Sequence, residues 1–207
     1  MCSPCDRPTS VCLCDTFPKP PVQLLRCHVL ILLHPLERKR KNSTLPLIRR
    51  CLDAESLDVI VGRRLLDSQS LPPNTILVFP GDNARSLFEV APGSTLLFLD
   101  ATWDHAKEMV RTLPKDLPRV SLKISELGPL FVPRRFDIRT PPTEECLSTG
   151  ECIAWAVDAM EGAQGALAAT LLRPLDRMVS IWHTARSLRE EGEANVTLTT
   201  HAQGAIL

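Results

Sequence analysis

The sequence predicts an α/β fold in which a mostly parallel β-sheet is covered by helices on both faces. Continuous apolar runs lie at residues 28–33, 57–61, 75–79 and 95–99, and a further run follows at 119–123. Unbroken runs of this kind are typical of strands that are buried on both faces of a parallel sheet. Segments with helical spacing lie between the runs, and such alternation of strands and helices indicates an α/β architecture.

The helices are predicted from apolar residues that recur at intervals of three and four. In the segment 104–113, Ala106, Met109 and Val110 fall at positions i, i+3 and i+4. The C-terminal third changes from alternation to consecutive helices. The predicted helices cover residues 45–55, 104–113, 150–161, 164–172 and 175–190.

The overall composition describes a globular protein. The 207 residues are 44% hydrophobic, which is enough to bury a substantial core and excludes global disorder. No apolar run approaches the ~20 residues that a membrane-spanning helix needs. The first residues also lack the pattern of a secretory signal or a transit peptide. We therefore expect a soluble, intracellular protein with no membrane segment.

The N-terminal residues form a cysteine-rich arm. Cys2, Cys5, Cys12 and Cys14 have the spacing C-x2-C-x6-C-x-C, which brings four thiolates within reach of one tetrahedral Zn²⁺ ion. Free or partly oxidised thiols and an iron–sulfur cluster are the alternatives. A proline-rich linker at 16–23 follows, so we expect an arm over residues 1–20 and a main domain over 21–207. The other four cysteines are predicted to be small buried residues.

Ligands of open α/β sheets bind beyond the carboxyl ends of the strands. The residues found there are His34, Pro80-Gly81 and the segment Asp100-Ala101-Thr102-Trp103. Motifs for dinucleotides, P-loop nucleotides, nucleophile elbows and zinc proteases are absent from the sequence. Asp100 or Asp104 could instead cap a helix, with Trp103 in the core. The segment 148–151 has the form of a capping box, although a helix N-terminus can also bind a carboxylate or a phosphate.

The charges are unevenly distributed although they sum to zero. Lysine and arginine total 24, as do aspartate and glutamate, yet residues 37–50 carry six cations and only one acid. Such a cluster is either a solvated loop or a surface for RNA phosphates. The sequence ERKRK within it could also be a nuclear import signal, so both cytoplasmic and nuclear residence stay open. The absence of tyrosine argues against a base-stacking sheet of the RNA-recognition-motif type.

Together, these segments resemble the DTW-domain family. The resemblance rests on the cysteine arm, His34-Pro35, Phe79-Pro80-Gly81, the D-A-T-W segment and the S-T-G-E segment at 148–151, in the family's order. It implies an S-adenosylmethionine-dependent tRNA-uridine aminocarboxypropyltransferase, related to SPOUT proteins and carrying a C-terminal trefoil knot. Many members have Gly in place of Ala101 and Leu in place of Gly150. A SPOUT-like RNA methyltransferase and a non-catalytic zinc-containing RNA-binding module are the alternatives.

The resemblance also assigns residues to roles. Asp100 would be a general base, or would hold the sulfonium or the amino group of the cofactor, with Thr102 and Trp103 beside it. The cofactor-binding candidates are Pro80, Gly81, Asp100, Ala101, Arg139, Ser148, Thr149 and Glu151. The candidates for tRNA contact are His34, Arg38, Lys39, Arg40, Arg49, Arg50, Arg63 and Arg64. We expect a monomer that needs no protein partner.

Overall fold

The structure is a computed structural model, which describes residues 1–3, 5, 7–40, 43–65, 71–81, 83–127, 131, 136–138 and 146–203, with side chains up to residue 189. Among the described residues, an α-helix follows the first and the fifth strand, and two consecutive α-helices come after the last strand. In order they are β1 (Cys27–Leu33), α1 (Leu45–Cys51), β2 (Leu57–Val61), β3 (Thr75–Val78), β4 (Arg85–Ser86), β5 (Ser94–Asp100), α2 (Trp103–Thr112), β6 (Arg119–Ser121), α3 (Thr149–Glu161) and α4 (Ala166–Gln203).

The strands form one six-stranded sheet in the order β2-β1-β5-β3-β6-β4. Every pairing is parallel, as the continuous apolar runs predict. The two longest strands, β1 and β5, lie side by side, with Leu33 in register with Asp100. The carboxyl ends of these two strands therefore reach the same edge of the sheet together.

Two hydrophobic clusters cover the two faces of the sheet. Because side chains alternate along a strand, Val29 and Ile31 of β1 enter the larger cluster with residues of α1, α3 and α4. Leu30 and Leu32 face the other way, into a smaller cluster with Met109 of α2. This arrangement confirms the predicted sheet that is covered on both faces.

The prediction of two helices at 164–172 and 175–190 was wrong, because α4 is a single helix that includes Pro174. A proline inside a helix removes one backbone hydrogen bond and crowds the preceding turn. Here the buried side chains of Leu171, Leu172 and Leu175 continue through the proline, so packing of the helix on the core offsets that cost. In the described part of the chain, every helix is too short or too polar to cross a membrane.

The cysteine arm packs on the main body. Leu13 is fully buried, and both Leu13 and Phe17 belong to the larger hydrophobic cluster. The guanidinium of Arg50, on α1, lies 4.5 Å from the centre of the Phe17 ring. Of the other four cysteines, Cys27 and Cys51 are buried, whereas Cys146 and Cys152 are partly exposed. The boundary at residue 20 stays a prediction.

The turn between α3 and α4 is held by one buried carboxylate. Asp158 is 4% exposed, and its two oxygens accept hydrogen bonds from the backbone N–H groups of Gly165, Leu167 and Ala168 at 2.7–3.0 Å. It thereby caps the start of α4, where N–H groups have no partner within the helix. The path from β6 to α3 lies mostly outside the described residues, so the trefoil knot stays a prediction.

We predict that Asp158→Ala lowers the free energy of unfolding by about 2–3 kcal/mol, because three buried N–H groups lose a charged acceptor. Urea denaturation followed by circular dichroism measures the change. Asp116→Ala, which removes an exposed carboxylate, is the control and should change stability by less than about 0.5 kcal/mol. Equal stability of the two variants would contradict the role given to Asp158.

Candidate active site and metal centre

One hydrogen bond joins two segments that are far apart in the sequence. Asp100 is the last residue of β5 and is 8% exposed, while Thr149 is the first residue of α3. The Thr149 hydroxyl donates to Asp100 Oδ1 at 2.8 Å. The backbone of Asp100 is also engaged, since its carbonyl accepts from the His34 N–H at 2.9 Å. The structure therefore brings the D-A-T-W and S-T-G-E segments together at the carboxyl edge of the sheet.

The start of α3 is a complete capping box. The hydroxyl of Ser148 accepts from the Glu151 N–H, and the Glu151 carboxylate accepts from the Ser148 N–H at 2.8 Å. The N–H group of Gly150, one residue before Glu151, donates to the hydroxyl of Thr44 at 2.9 Å. Two N–H groups of the first turn thus already have protein acceptors, which limits what the helix N-terminus can offer a ligand.

Gly150 is the residue that permits this contact. A Cβ atom at this position would lie 2.8 Å from Cβ of Thr44, closer than carbon atoms pack. Thr44 immediately precedes α1, so the absence of a side chain at Gly150 lets the N-termini of α1 and α3 meet. The departure from the family pattern at this position therefore has a local structural reason.

Glu151 orders the chain before α3. It is 1% exposed, and its second carboxylate oxygen accepts from the Phe136 N–H at 3.1 Å. A buried carboxylate is stable only when its oxygens are hydrogen-bonded, as these are. Its position favours a structural role over direct contact with a ligand.

Two histidines stack next to Asp100. The rings of His34 and His105 lie 4.2 Å apart with an angle of 9° between their planes. His34 is 2% exposed, and burial lowers its pKa below 6.5, with smaller effects from His105 and Arg63. Its Nδ1 accepts from the Leu36 N–H, so the neutral ring carries its proton on Nε2. His34 is thus a buried residue at the edge of the sheet, which does not favour the direct tRNA contact predicted for it.

Thr102 and Trp103 start α2 beside the site. Thr102 is the N-cap of this helix, and its hydroxyl accepts from the His105 N–H at 3.4 Å. Neither Asp100 nor Asp104, the two caps considered from the sequence, takes that position. Trp103 is partly exposed and its ring centre lies 5.8 Å from that of Phe79. This contact places the chain leading into Pro80 and Gly81 next to the D-A-T-W segment.

The remaining predicted site residues are Ala101, Arg139 and the basic candidates for tRNA contact. Ala101 is partly buried against the smaller cluster. Arg139 lies outside the described residues. The basic candidates divide between a groove beside α1 and exposed positions away from it. Arg38, Arg40, Arg49 and Arg50 line the groove, whereas Lys39, Arg63 and Arg64 do not.

The four cysteines of the arm form a compact cluster. The sulfur atoms of Cys2, Cys5, Cys12 and Cys14 all lie within 4.8 Å of one another, with individual distances of 3.3, 3.6 and 3.7 Å. Sulfur atoms bound at ~2.3 Å to one tetrahedral zinc ion stand about 3.8 Å apart. The Cys14 N–H also points to the Cys12 sulfur at 3.4 Å, as in many thiolate sites. This cluster could hold a metal ion, and its four ligands would leave no open position for catalysis.

Sequence reasoning missed three residues that shape the site. Thr44 contacts Gly150, His105 stacks on His34, and Asp158 holds α4. A glycine near the start of a helix was the available signal for Thr44, because it indicates a close neighbour. For His105 and Asp158 the pattern of the sequence offers no comparable signal, since both look like ordinary helical positions.

The fold and site define a class: α/β proteins with a parallel sheet, a carboxylate–hydroxyl pair at its carboxyl edge and a separate four-cysteine cluster. The model of the DTW domain matches residues 1–183. The match covers both the cluster and the pair, and the chain belongs to the DTW domain family. This confirms the resemblance drawn from the sequence.

Several curated proteins are similar to the chain over most of its length. The tRNA-uridine aminocarboxypropyltransferase 2 of Mus musculus is 35% identical over 197 residues, which are 86% of this chain and 62% of the mouse protein. The protein of the same name from Drosophila melanogaster is 32% identical over 194 residues, covering 84% of this chain and 71% of that protein. The chain thus spans less than two thirds of the mouse protein's length. No solved structure matches the chain significantly.

We predict that the purified protein carries about one zinc ion per chain and that Cys12→Ser/Cys14→Ser loses it. The double variant should also melt at a lower temperature, because zinc binding contributes directly to folding. Mass spectrometry of metal content and thermal denaturation measure the two effects. Cys146→Ser is the control and should keep its zinc. A wild-type protein free of metal, or a double variant with full metal content, would remove the zinc site.

Proposed function

We propose that this chain transfers the 3-amino-3-carboxypropyl group of S-adenosylmethionine to N3 of a uridine in tRNA. The hydrogen bond between Thr149 and Asp100 is the observation that carries the proposal, because it gathers two polar segments at the edge where α/β sheets bind ligands. The names of the mouse and fly relatives support the reaction and its tRNA substrate. A simple RNA-binding module has no need for a buried carboxylate at this position.

The reaction is a nucleophilic displacement. Uridine N3 loses its proton and forms a bond to the methionine Cγ of the cofactor. The bond from that carbon to sulfur breaks, and its electron pair converts the sulfonium into neutral methylthioadenosine. The proton goes to a base or to water. A protein can assist this reaction by orienting the two reactants and by placing negative charge near the positive sulfur.

Asp100 is the residue of the site best placed to recognise the cofactor's positive charge. The Thr149 hydroxyl orients one of its oxygens. We therefore favour contact with the sulfonium or the amino group, with the role of general base as the alternative. Trp103 and Phe79 would form an aromatic wall beside it.

The carboxylate of the cofactor needs a different partner. The N–H groups of Gly150 and Glu151 already donate to Thr44 and Ser148. Arg139 is the cationic candidate for this carboxylate. Ser148 and Glu151 would act by holding the start of α3, with Pro80, Gly81, Ala101 and Thr102 shaping the rest of the pocket.

A zinc site, a trefoil knot and a monomeric state complete the proposed architecture. Zinc in the four-cysteine cluster would stabilise the arm without taking part in the reaction, because four thiolates complete its coordination. The chain would carry the trefoil knot of SPOUT-like proteins and act as a monomer. The larger hydrophobic cluster, which joins the arm to α1, α3 and α4, supports a monomer that is stable on its own.

The experiment that tests this function uses S-adenosylmethionine labelled either in the methyl group or in the aminobutyrate portion, with total tRNA as acceptor. We expect only the aminobutyrate label on tRNA, in a nucleoside whose mass matches 3-(3-amino-3-carboxypropyl)uridine. Methyl label on tRNA would show a methyltransferase. Transfer of neither label, together with no calorimetric binding of the cofactor, would favour a non-catalytic RNA-binding module.

We predict that Asp100→Asn keeps the fold but lowers turnover at least about hundredfold, because a charge that contacts the reacting group is lost. If Asp100 binds the positive charge of the cofactor, the substitution should raise the dissociation constant of S-adenosylmethionine measured by calorimetry. If Asp100 is a general base, the substitution should leave that constant nearly unchanged. Asp104→Asn, four residues along and exposed, is the matched control and should retain activity. Wild-type turnover by Asp100→Asn would contradict both roles.

A further inference from the structure

A groove of about 1320 Å³ lies beside α1. Its floor is apolar and includes Leu33 of β1 with Leu57, Val59 and Val61 of β2. The cysteine arm, the turn after β1 and α1 form its walls. The cations that line it are Lys19, Arg38, Arg40, Arg49 and Arg50. They come from three separate stretches of sequence: four belong to the basic cluster at 37–50, and Lys19 adds a cation from outside that cluster.

The acids in the groove are already engaged. Glu37 is buried and pairs with Arg40 at 3.1 Å. Asp58 contacts His28 at 3.1 Å, and Asp53 accepts from the Ser56 N–H at 2.8 Å. In contrast, no carboxylate of the described residues lies within ion-pair distance of three of the cations. These are Lys19, Arg38 and Arg49, and both arginines are exposed. The groove therefore presents unpaired positive charge to solvent.

The cysteine arm forms one wall of this groove. Cys14 and Phe17 line it, and Arg50 bridges them, with its guanidinium over the Phe17 ring and 3.9 Å from the Cys14 sulfur. A cation over an aromatic ring is attracted to the ring face, so this contact stabilises the position of Arg50 in the groove wall. The cysteine arm thus helps to shape the groove.

The groove reaches the candidate active site at two points. Leu33 lines the groove and is in register with Asp100 on the adjacent strand. Paired strands lie about 4.8 Å apart, so the inner end of the groove is one strand from Asp100. Ser43 and Leu45 also line it, and they flank Thr44, which binds Gly150 at the start of α3.

From this placement we propose that the groove binds the sugar–phosphate backbone of the tRNA whose uridine enters the site at Asp100. The inference rests on the proposed function for the identity of the RNA. Arginines match phosphate oxygens in geometry and charge. The apolar floor would carry ribose and base surfaces between the phosphates. Among the basic residues considered from the sequence, the groove selects Arg38, Arg40, Arg49 and Arg50, adds Lys19, and leaves out Lys39, Arg63 and Arg64.

The test compares three double variants that each remove two positive charges. Arg38→Gln/Arg49→Gln changes the groove, Arg63→Gln/Arg64→Gln changes exposed arginines after β2, and Arg173→Gln/Arg177→Gln changes exposed arginines of α4. Binding of fluorescently labelled total tRNA is measured by anisotropy at several salt concentrations. Calorimetry with S-adenosylmethionine and circular dichroism show whether the rest of each variant is intact.

We expect Arg38→Gln/Arg49→Gln to weaken tRNA binding at least about tenfold near 0.1 M salt and to reduce the slope of log Kd against log salt by about 1.5–2. The affinity for S-adenosylmethionine should not change. The other two variants should lose less than about threefold. Wild-type tRNA affinity in the groove variant, or an equal loss in Arg63→Gln/Arg64→Gln, would overturn the proposal.

The same measurements separate this proposal from the proposed function. If the wild-type protein transfers the aminobutyrate label but the groove variant binds tRNA normally, the groove assignment alone is wrong. If the wild-type protein transfers no label, the proposed function is wrong, and the comparison of tRNA affinities still decides whether the groove binds RNA.

Discussion

The candidate site depends on the close approach of α3 to the carboxyl edge of the sheet. Two contacts define that approach: the Thr149 hydroxyl on Asp100 and the Gly150 N–H on Thr44. The second contact requires that position 150 lack a side chain, because a Cβ atom there would lie 2.8 Å from Cβ of Thr44. The hydrogen bond of the Gly150 N–H helps to offset the cost of ~1 kcal/mol for glycine in a helix.

The same region connects the chemistry to the rest of the protein. Thr44 belongs to the start of α1, whose last turn carries Arg49 and Arg50. Arg50 in turn reaches Phe17 and Cys14 in the arm. One short helix therefore lies between the carboxylate site, the basic groove and the four-cysteine cluster. Segments that are dispersed in the sequence are therefore connected in space through α1.

Much of the fold could be predicted from the sequence because its strands are continuous apolar runs. β2 lies at the predicted residues, β1 and β3 differ from prediction by one residue at one end, and β5 is longer by one residue at each end. The capping box at Ser148 was also readable, since its residues are neighbours in sequence. Pro174 misled the prediction because a proline usually interrupts a helix, whereas here burial of the surrounding leucines holds α4 together.

The site was less predictable, because its contacts join distant residues. Asp100 and Thr149 are 49 positions apart, and no periodicity in the sequence could indicate their hydrogen bond. Likewise, the net charge of zero conceals a groove in which Glu37 pairs with Arg40, while no carboxylate of the described residues lies within ion-pair distance of Arg38 or Arg49. Local patterns define strands, caps and cysteine clusters, but three-dimensional packing decides which charges act together.

A crystal structure of the protein with S-adenosylmethionine tests the central claim most directly. We expect cofactor density at the carboxyl ends of β1 and β5. The sulfonium or the amino group should lie against the Asp100 carboxylate, with the aromatic ring of Trp103 nearby. Cofactor bound away from Asp100, for example in the groove lined by Arg38 and Arg49, would contradict this claim.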